Sequence, residues 1–335
     1  MKAAIVGCGA IAHNHAKSIL SLGHELVALA EIKSDRLKAF SETSGGNTYP
    51  SLDAMLENEQ IDVLHICTPH NLHVPMALQA LDMGINVFME KPPVINEAQL
   101  DQLRQANDAH KAKLGICFQN RYNPPSIKAL EILRSGEAGK IIAARSYVTW
   151  NRGAEYYQDG WHGTMEQEGG GVLINQSIHS MDLTNMLIGQ TPVSIDAVMA
   201  NHRLKTEIEV EDTMSALITY PDVRFSFYAT NAYGSNPPPI VELFCENLTL
   251  RIEGNALSVK HGKGPWEPIT VEEKVSVGKS YWGPGHISCI SDFYSSILEN
   301  RPFALELPYV EDSVRLMLKI YKSARENRTV SWEES

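Results

Sequence analysis

Three absences narrow the field before any motif is read. No stretch of the 335 residues is apolar for long enough to span a bilayer, and the first apolar run breaks at Gly7 ahead of His13, Asn14 and His15. The five cysteines (Cys8, Cys67, Cys117, Cys245, Cys289) form no C-x-x-C pair, and their odd number suits buried thiols in a reducing cytoplasm, where the chain is expected. Positive charge is scarce, 29 Lys and Arg against 40 Asp and Glu. The net charge of −11 argues against nucleic acid or an anionic membrane as the main partner. His13 with His15, and His70 with His73, have no carboxylate or cysteine set to complete a site, so no metal is expected. There is no internal repeat. What remains is an ordinary soluble balance, 43% hydrophobic and 21% charged, over a length sufficient for two domains.

The informative turn is Gly7-Cys8-Gly9-Ala10-Ile11-Ala12, directly after the apolar run Lys2 to Val6 and ahead of a helix reading Ile11 to Leu22. Gly7 permits the tight turn, Gly9 lets the backbone approach a pyrophosphate, and Ala12 is small enough for helix to pack on strand. The helix start then offers free N–H groups to the phosphates. Glu31 ends the next strand 19 residues after Ala12, where a carboxylate accepts hydrogen bonds from the adenosine ribose. Glu31 favours NAD because it repels a 2′-phosphate, although Lys33, Ser34 and Arg36 could accommodate the phosphate of NADP.

Strand and helix alternate over the first 120 residues. Asp62 to Cys67 is a strand ending in Thr68-Pro69, Val74 to Met83 a helix, Asn86 to Met89 a strand before Glu90-Lys91-Pro92, Glu97 to Ala112 a helix, and Lys113 to Phe118 a strand. Near-continuous apolar strands in that alternation predict a parallel sheet covered on both faces. From about Arg121 the pattern turns β-rich, with runs from Ile141 to Lys260 that read as one large, mostly antiparallel open sheet. Helices at Gly171 to Leu187, Ile287 to Glu299 and Tyr309 to Glu326 would cover one of its faces, and loops are expected at 234–239 and 262–266. The expected division is an N-terminal Rossmann domain over 1–120 and a C-terminal α+β domain for substrate and oligomerisation over 121–335.

With these elements in register, the chain resembles the Gfo/Idh/MocA oxidoreductases along essentially its whole length. Glu90-Lys91-Pro92 resembles the family's central signature, which implies a lysine at the reaction centre and often a cis bond before the proline. Thr68-Pro69-His70-Asn71-Leu72-His73 resembles the nicotinamide-side loop. Tyr156-Tyr157, Gly160 to Thr164 and Gly169 to His179 resemble the segments that close the substrate pocket. The resemblance implies cofactor contacts from Gly7, Gly9, Ala10, Ile11, Glu31, Thr68, Pro69, His73, Glu90, Lys91, Gln119 and Trp161. His162 stands where the family usually has arginine, and Asn175 where it often has aspartate.

The implied chemistry is hydride transfer between nicotinamide and a secondary hydroxyl of a sugar, cyclitol or sugar derivative. His179 would take the hydroxyl proton, with Asp182 at i+3 orienting its ring. Lys91 would polarise the developing carbonyl. Asn175 would hold a neighbouring hydroxyl, with Tyr122, Trp150, His162 and Tyr281 also lining the substrate site. Two other classes remain open at this point: a glycoside hydrolase working by transient oxidation and elimination on retained NAD, and a non-catalytic sugar sensor. An intact Lys91 and His179 argue against the sensor. On one strand Met214, Ala216 and Ile218 point one way and Leu217 the other, so both sheet faces carry apolar groups. That predicts a homodimer or a tetramer of dimers.

Overall fold

The computed structural model describes residues 1–272 and 283–334; Tyr281 lies outside them. The described residues form two compact units, 1–119 with 283–311 and 120–272 with 312–334.

In the first unit, β1 (Lys2–Val6), β2 (Glu25–Ala30), β3 (Asn47–Tyr49), β4 (Val63–Ile66), β5 (Asn86–Glu90) and β6 (Leu114–Cys117) form a parallel sheet. Its order, β3-β2-β1-β4-β5-β6, is that of a dinucleotide-binding sheet, and the order reverses between β1 and β4. Helices α1 (Ala12–Ser21), α2 (Ser34–Ser44), α3 (Leu52–Asn58), α4 (His73–Asp82) and α5 (Glu97–Ala109) connect the strands. β4 and β6 are buried at every residue, as a sheet covered on both faces requires. β3 had no sequence signal: it is three residues long, and Asn47 and Thr48 are exposed and polar.

The second unit holds α6 (Pro124–Ser135), β7 (Ile141–Thr149), α7 (Ile178–Ile188), β8 (Ser194–Ala200), β9 (Thr213–Thr219), β10 (Arg224–Thr230), β11 (Ile240–Cys245), β12 (Thr249–Glu253), β13 (Ala256–Lys260) and β14 (Trp266–Ile269). With β15 (Val330–Ser331) they give, among the described residues, a nine-stranded sheet in the order β14-β13-β12-β11-β7-β10-β9-β8-β15. Only the β7–β10 pair in it is parallel. Met214, Ala216 and Ile218 are buried and Leu217 is 47% exposed, the alternation expected of a sheet covered on one face. α6 lies against β12, and α7 against β7 and β11. Trp266, expected in a loop, instead begins β14, where the Arg251 guanidinium sits 4.1 Å from its ring.

One helix lies on a different sheet from the one its sequence predicts. α8 (Gly285–Leu298) was expected on the second sheet, but it packs on α1 in the first unit. Its aromatic side decides this: the Phe293 ring lies 5.1 Å from Phe88 and 5.2 Å from Phe303. A Cβ on Gly115 of β6 would fall 2.7 Å from the Phe293 ring, so that glycine makes room for the helix.

Candidate active site

The glycine turn is shaped by two different demands. Gly7 has φ +86°, and a Cβ there would lie 2.6 Å from the Cys67 carbonyl oxygen, so the backbone just after β4 requires glycine. A Cβ on Gly9 would meet no protein atom within 4 Å, so glycine there keeps the outer side of the turn clear, as close approach of a pyrophosphate requires. Ala10 and Ile11 lead into α1, with Ile11 at its N-cap. The Glu31 carboxylate accepts the Cys8 N–H at 3.0 Å and the Lys33 N–H at 2.9 Å, which fixes it beside the turn. Arg36 stands 3.8 Å from the same carboxylate.

At the end of β5, Glu90 is buried and Lys91 half-buried, and the Lys91-Pro92 bond is cis, as the resemblance implies. Glu90 accepts from His15 Nε2 at 2.9 Å and from its neighbour's backbone N–H at 3.2 Å, with His286 Nε2 at 3.9 Å. Burial alone would raise its carboxyl pKa. The hydrogen bond and charge of His15, with His286 and Lys91, reverse that and hold it well below the usual carboxylate range. His73 has both ring nitrogens on the main chain, Nδ1 at 2.7 Å from the Pro92 oxygen and Nε2 at 3.0 Å from the Thr68 oxygen. His73, expected at the cofactor, thereby ties the Thr68-Pro69 loop to the strand end. Gln119, buried, accepts the Cys117 thiol.

In the second unit the Gly169-Gly170-Gly171 run is explained by close packing. A Cβ on Gly170 would fall 2.1 Å from the Tyr321 hydroxyl, and one on Gly171 1.9 Å from the Glu211 carbonyl oxygen. The Glu211 carboxylate accepts the Gly171 and Leu173 N–H groups and the Tyr321 hydroxyl. It caps a wide π turn at Leu173–Ser177 that leads into α7. From Glu168 to Asn185 only Asn175 and His179 escape burial. They are the two positions to which the family resemblance assigns the hydroxyl proton and a neighbouring hydroxyl. Asp182, expected beside His179, accepts from Arg121 Nη2 at 2.5 Å and Nε at 3.0 Å, because the Arg121 side chain, from the turn before α6, reaches that side of the helix.

The other substrate candidates are knitted together rather than standing singly. Asn175 Nδ2 donates to Glu168 at 2.5 Å and to the Tyr156 hydroxyl at 3.3 Å. Glu168 also accepts the Gly163 N–H, and Gln176 Nε2 donates to Tyr156. His162 pairs with Asp159 at 2.6 Å, meets Tyr156 at 3.3 Å and packs on Trp161, ring centroids 3.7 Å apart. Trp150 is buried, donates to the Pro237 oxygen and carries Arg152 4.8 Å from its ring. Tyr122 closes the short turn Gln119–Tyr122 and is half-buried.

Residues 1–118 match the oxidoreductase family with an NAD-binding Rossmann fold, and residues 127–251 match the GFO/IDH/MocA C-terminal domain. The chain belongs to the Gfo/Idh/MocA oxidoreductases. Its N-terminal unit is therefore an NAD-binding Rossmann domain. It is 28% identical over 240 residues to the mouse trans-1,2-dihydrobenzene-1,2-diol dehydrogenase, covering 70% of this chain and 69% of the relative. To scyllo-inositol 2-dehydrogenase (NAD(+)) of Bacillus subtilis it is 28% identical over 202 residues, 58% of this chain and 56% of the other. The WlbA dehydrogenase of Bordetella pertussis, solved with NADH and UDP-GlcNAcA, superposes with a TM-score of 0.87 at 25% identity, over 100% of this chain and 99% of that one. Among the described residues no helix is long and apolar enough to cross a membrane.

Several buried, hydrogen-bonded residues of this oxidoreductase give no signal in the sequence. Glu168 is one of two acids, with Glu166, just before the glycine run, and His65 interrupts an apolar strand. In the sequence, His15 reads only as half of a metal-ligand pair with His13. His15, Glu90 and Cys117 do bring one ligand atom each within 4.8 Å of one another. However, His15 and Glu90 already share a hydrogen bond, and burial pushes the Cys117 thiol far above its ordinary pKa, which opposes the thiolate a cation would need. The three fit a hydrogen-bonded network.

Proposed function

We propose that this oxidoreductase transfers hydride between NAD and a secondary hydroxyl of a sugar, cyclitol or sugar derivative. The observation that carries the reading is that Asn175 and His179 alone are half-buried in an otherwise buried segment. A polar pair left partly accessible in such a segment is suited to a hydroxylated ligand. The relatives support the class, since a cyclic diol, an inositol and a sugar nucleotide figure in their names.

Bound NAD supplies the hydride acceptor, and the side chains move the proton and steady the charge. His179 takes the hydroxyl proton as the carbon loses hydride. The Lys91 ammonium stabilises negative charge developing on the same oxygen. Asn175, with its amide nitrogen held by Glu168, presents its remaining polar capacity to a neighbouring hydroxyl. Glu31 favours NAD over NADP, because its carboxylate is pinned where a 2′-phosphate would be repelled. The uncovered sheet face, with Val198 58%, Leu217 47% and Phe244 51% exposed, supports a homodimer or tetramer.

Assaying purified protein with NAD and with NADP against polyols, sugars and nucleotide sugars tests this directly. Substrate-dependent NADH formation is expected. Glycoside turnover without net NADH would replace this reading with redox-assisted hydrolysis.

A further inference from the structure

A string of buried side chains leads to Glu90 within the first unit. The Tyr294 hydroxyl is 2.8 Å from His65 Nε2, His65 Nδ1 is 2.8 Å from His15 Nδ1, and His15 Nε2 is 2.9 Å from Glu90 Oε1. Tyr294 is 1% exposed, both histidines 0% and Glu90 6%, so the protein itself must satisfy these rings.

Proton counting gives the string two complete arrangements. Two ring nitrogens 2.8 Å apart share one hydrogen, since two N–H groups would collide and two lone pairs repel. When His15 is neutral it donates from Nε2 to the carboxylate and accepts at Nδ1. His65 must then donate from Nδ1 and accept the Tyr294 O–H at Nε2. With one more proton His15 donates from both nitrogens, His65 accepts at Nδ1, and its Nε2–H donates to the Tyr294 oxygen. No hydrogen bond is lost, and His65 changes tautomer without changing charge.

We propose that His65 and Tyr294 are positioning residues that, through His15, load and unload one proton next to the Glu90 carboxylate and so set the charge held beside Lys91. This role rests on Lys91 acting in hydride transfer. Loaded, the His15 cation offsets the Glu90 anion. Unloaded, Glu90 stands against the Lys91 ammonium and steadies it.

The surroundings leave the string as the place where this proton resides. Facing it are His24, stacked on Tyr294 at 4.3 Å, Asp62 beside Tyr294, Cys67 after β4, Cys117 of β6, and His286 and Cys289 of α8, with Lys91 beyond Glu90. Burial lowers the pKa of His286 to about 4 and of His65 well below its ordinary value, and raises those of Cys67 and Cys117. These groups stay neutral near pH 7.

The test is histidine 15N NMR of the NAD-loaded protein across pH, with kcat/KM profiles of wild type, Tyr294→Phe and the double variant Tyr294→Phe/His65→Leu. As pH falls, His15 should become doubly protonated while His65 passes from the Nδ1–H to the Nε2–H tautomer. Tyr294→Phe removes the acceptor that the loaded state needs, so loading becomes harder. The acid limb of kcat/KM should move down by about one pH unit, with no comparable second step in the double variant. A His65 tautomer that stays fixed across pH, a string that takes up no proton, or an acid limb that does not move overturns the proposal. So does a His15 signal that responds to added zinc and chelator. The NMR readout needs no substrate, so failure to find a hydroxyl substrate would sink the dehydrogenase reading and leave the tautomer result standing.

Discussion

Glu90 in the first unit and Asn175 in the second are both fixed by buried partners, but the partners differ in kind. Glu90 is held by buried imidazoles, His15 at 2.9 Å and His286 at 3.9 Å. Asn175 is a neutral amide tied to Glu168 and Tyr156, with Gln176 and Asn231 continuing the network to Tyr157. On the proposed reading, the first arrangement governs charge near the lysine, and the second, through a neutral amide, governs how a hydroxyl is held.

The largest effects should come from removing the reactive groups. His179→Ala should lower kcat by about 10²–10⁴-fold, the usual cost of a positioned acid–base group. Lys91→Ala should lower it by about 10²–10³-fold, as loss of a preorganised charge does. Both variants should keep NAD affinity and melting temperature, and steady-state kinetics with NAD titration checks this. Near-normal kcat in either folded variant would break the comparison. On the orientation side, Asn175→Ala and Glu168→Gln should cost about tenfold, felt more in KM than in kcat, because a hydroxyl is held less well while the proton transfer remains. An equal loss in kcat would mean that the amide takes part in the chemistry.

Cofactor choice should shift less. Glu31→Ser should raise NADP affinity relative to NAD by about several-fold, since the repelling carboxylate goes and Arg36 remains. Direct measurement of both dissociation constants decides it. The smallest effect concerns stability. Burial holds His286 near 4 against an ordinary 6.5, so the unfolded chain takes up that proton first. Stability should therefore fall as pH drops from 6.5 towards 4, by about a few degrees of Tm. Glu90 acts in a lower window: its depressed pKa contributes stability above the ordinary carboxylate value of 4.5, lost as pH falls below it. His286→Gln should flatten the upper slope, as differential scanning calorimetry across pH would show.

What was legible in the sequence was what chain chemistry encodes locally. The glycine turn, Glu31 at its spacing and Glu90-Lys91 at a strand end are each fixed by a few consecutive residues and the strand–helix period. Asn175 and His179 were readable from the resemblance of Gly169 to His179 to a family segment, although Asn175 lies in the π turn ahead of α7. The i, i+3 spacing of Asp182 from His179 gave no sign of Arg121, 61 positions earlier, from which both Asp182 oxygens accept. The histidine string was out of reach: His65 lies 50 positions from His15 and 229 from Tyr294, with no periodicity to link them. α8 was misplaced for a related reason, since an aromatic helix face does not state which sheet it will meet.

Hydride transfer from the carbinol carbon is the central claim, and isotope tracing reaches it most directly. A hydroxyl substrate deuterated at that carbon is incubated with the enzyme and NAD, and the recovered NADH is weighed by mass spectrometry. Deuterium should appear in the nicotinamide ring of the wild-type product, with the label lost from the oxidised carbon. Turnover with unlabelled nucleotide, or with no net NADH, would contradict the account.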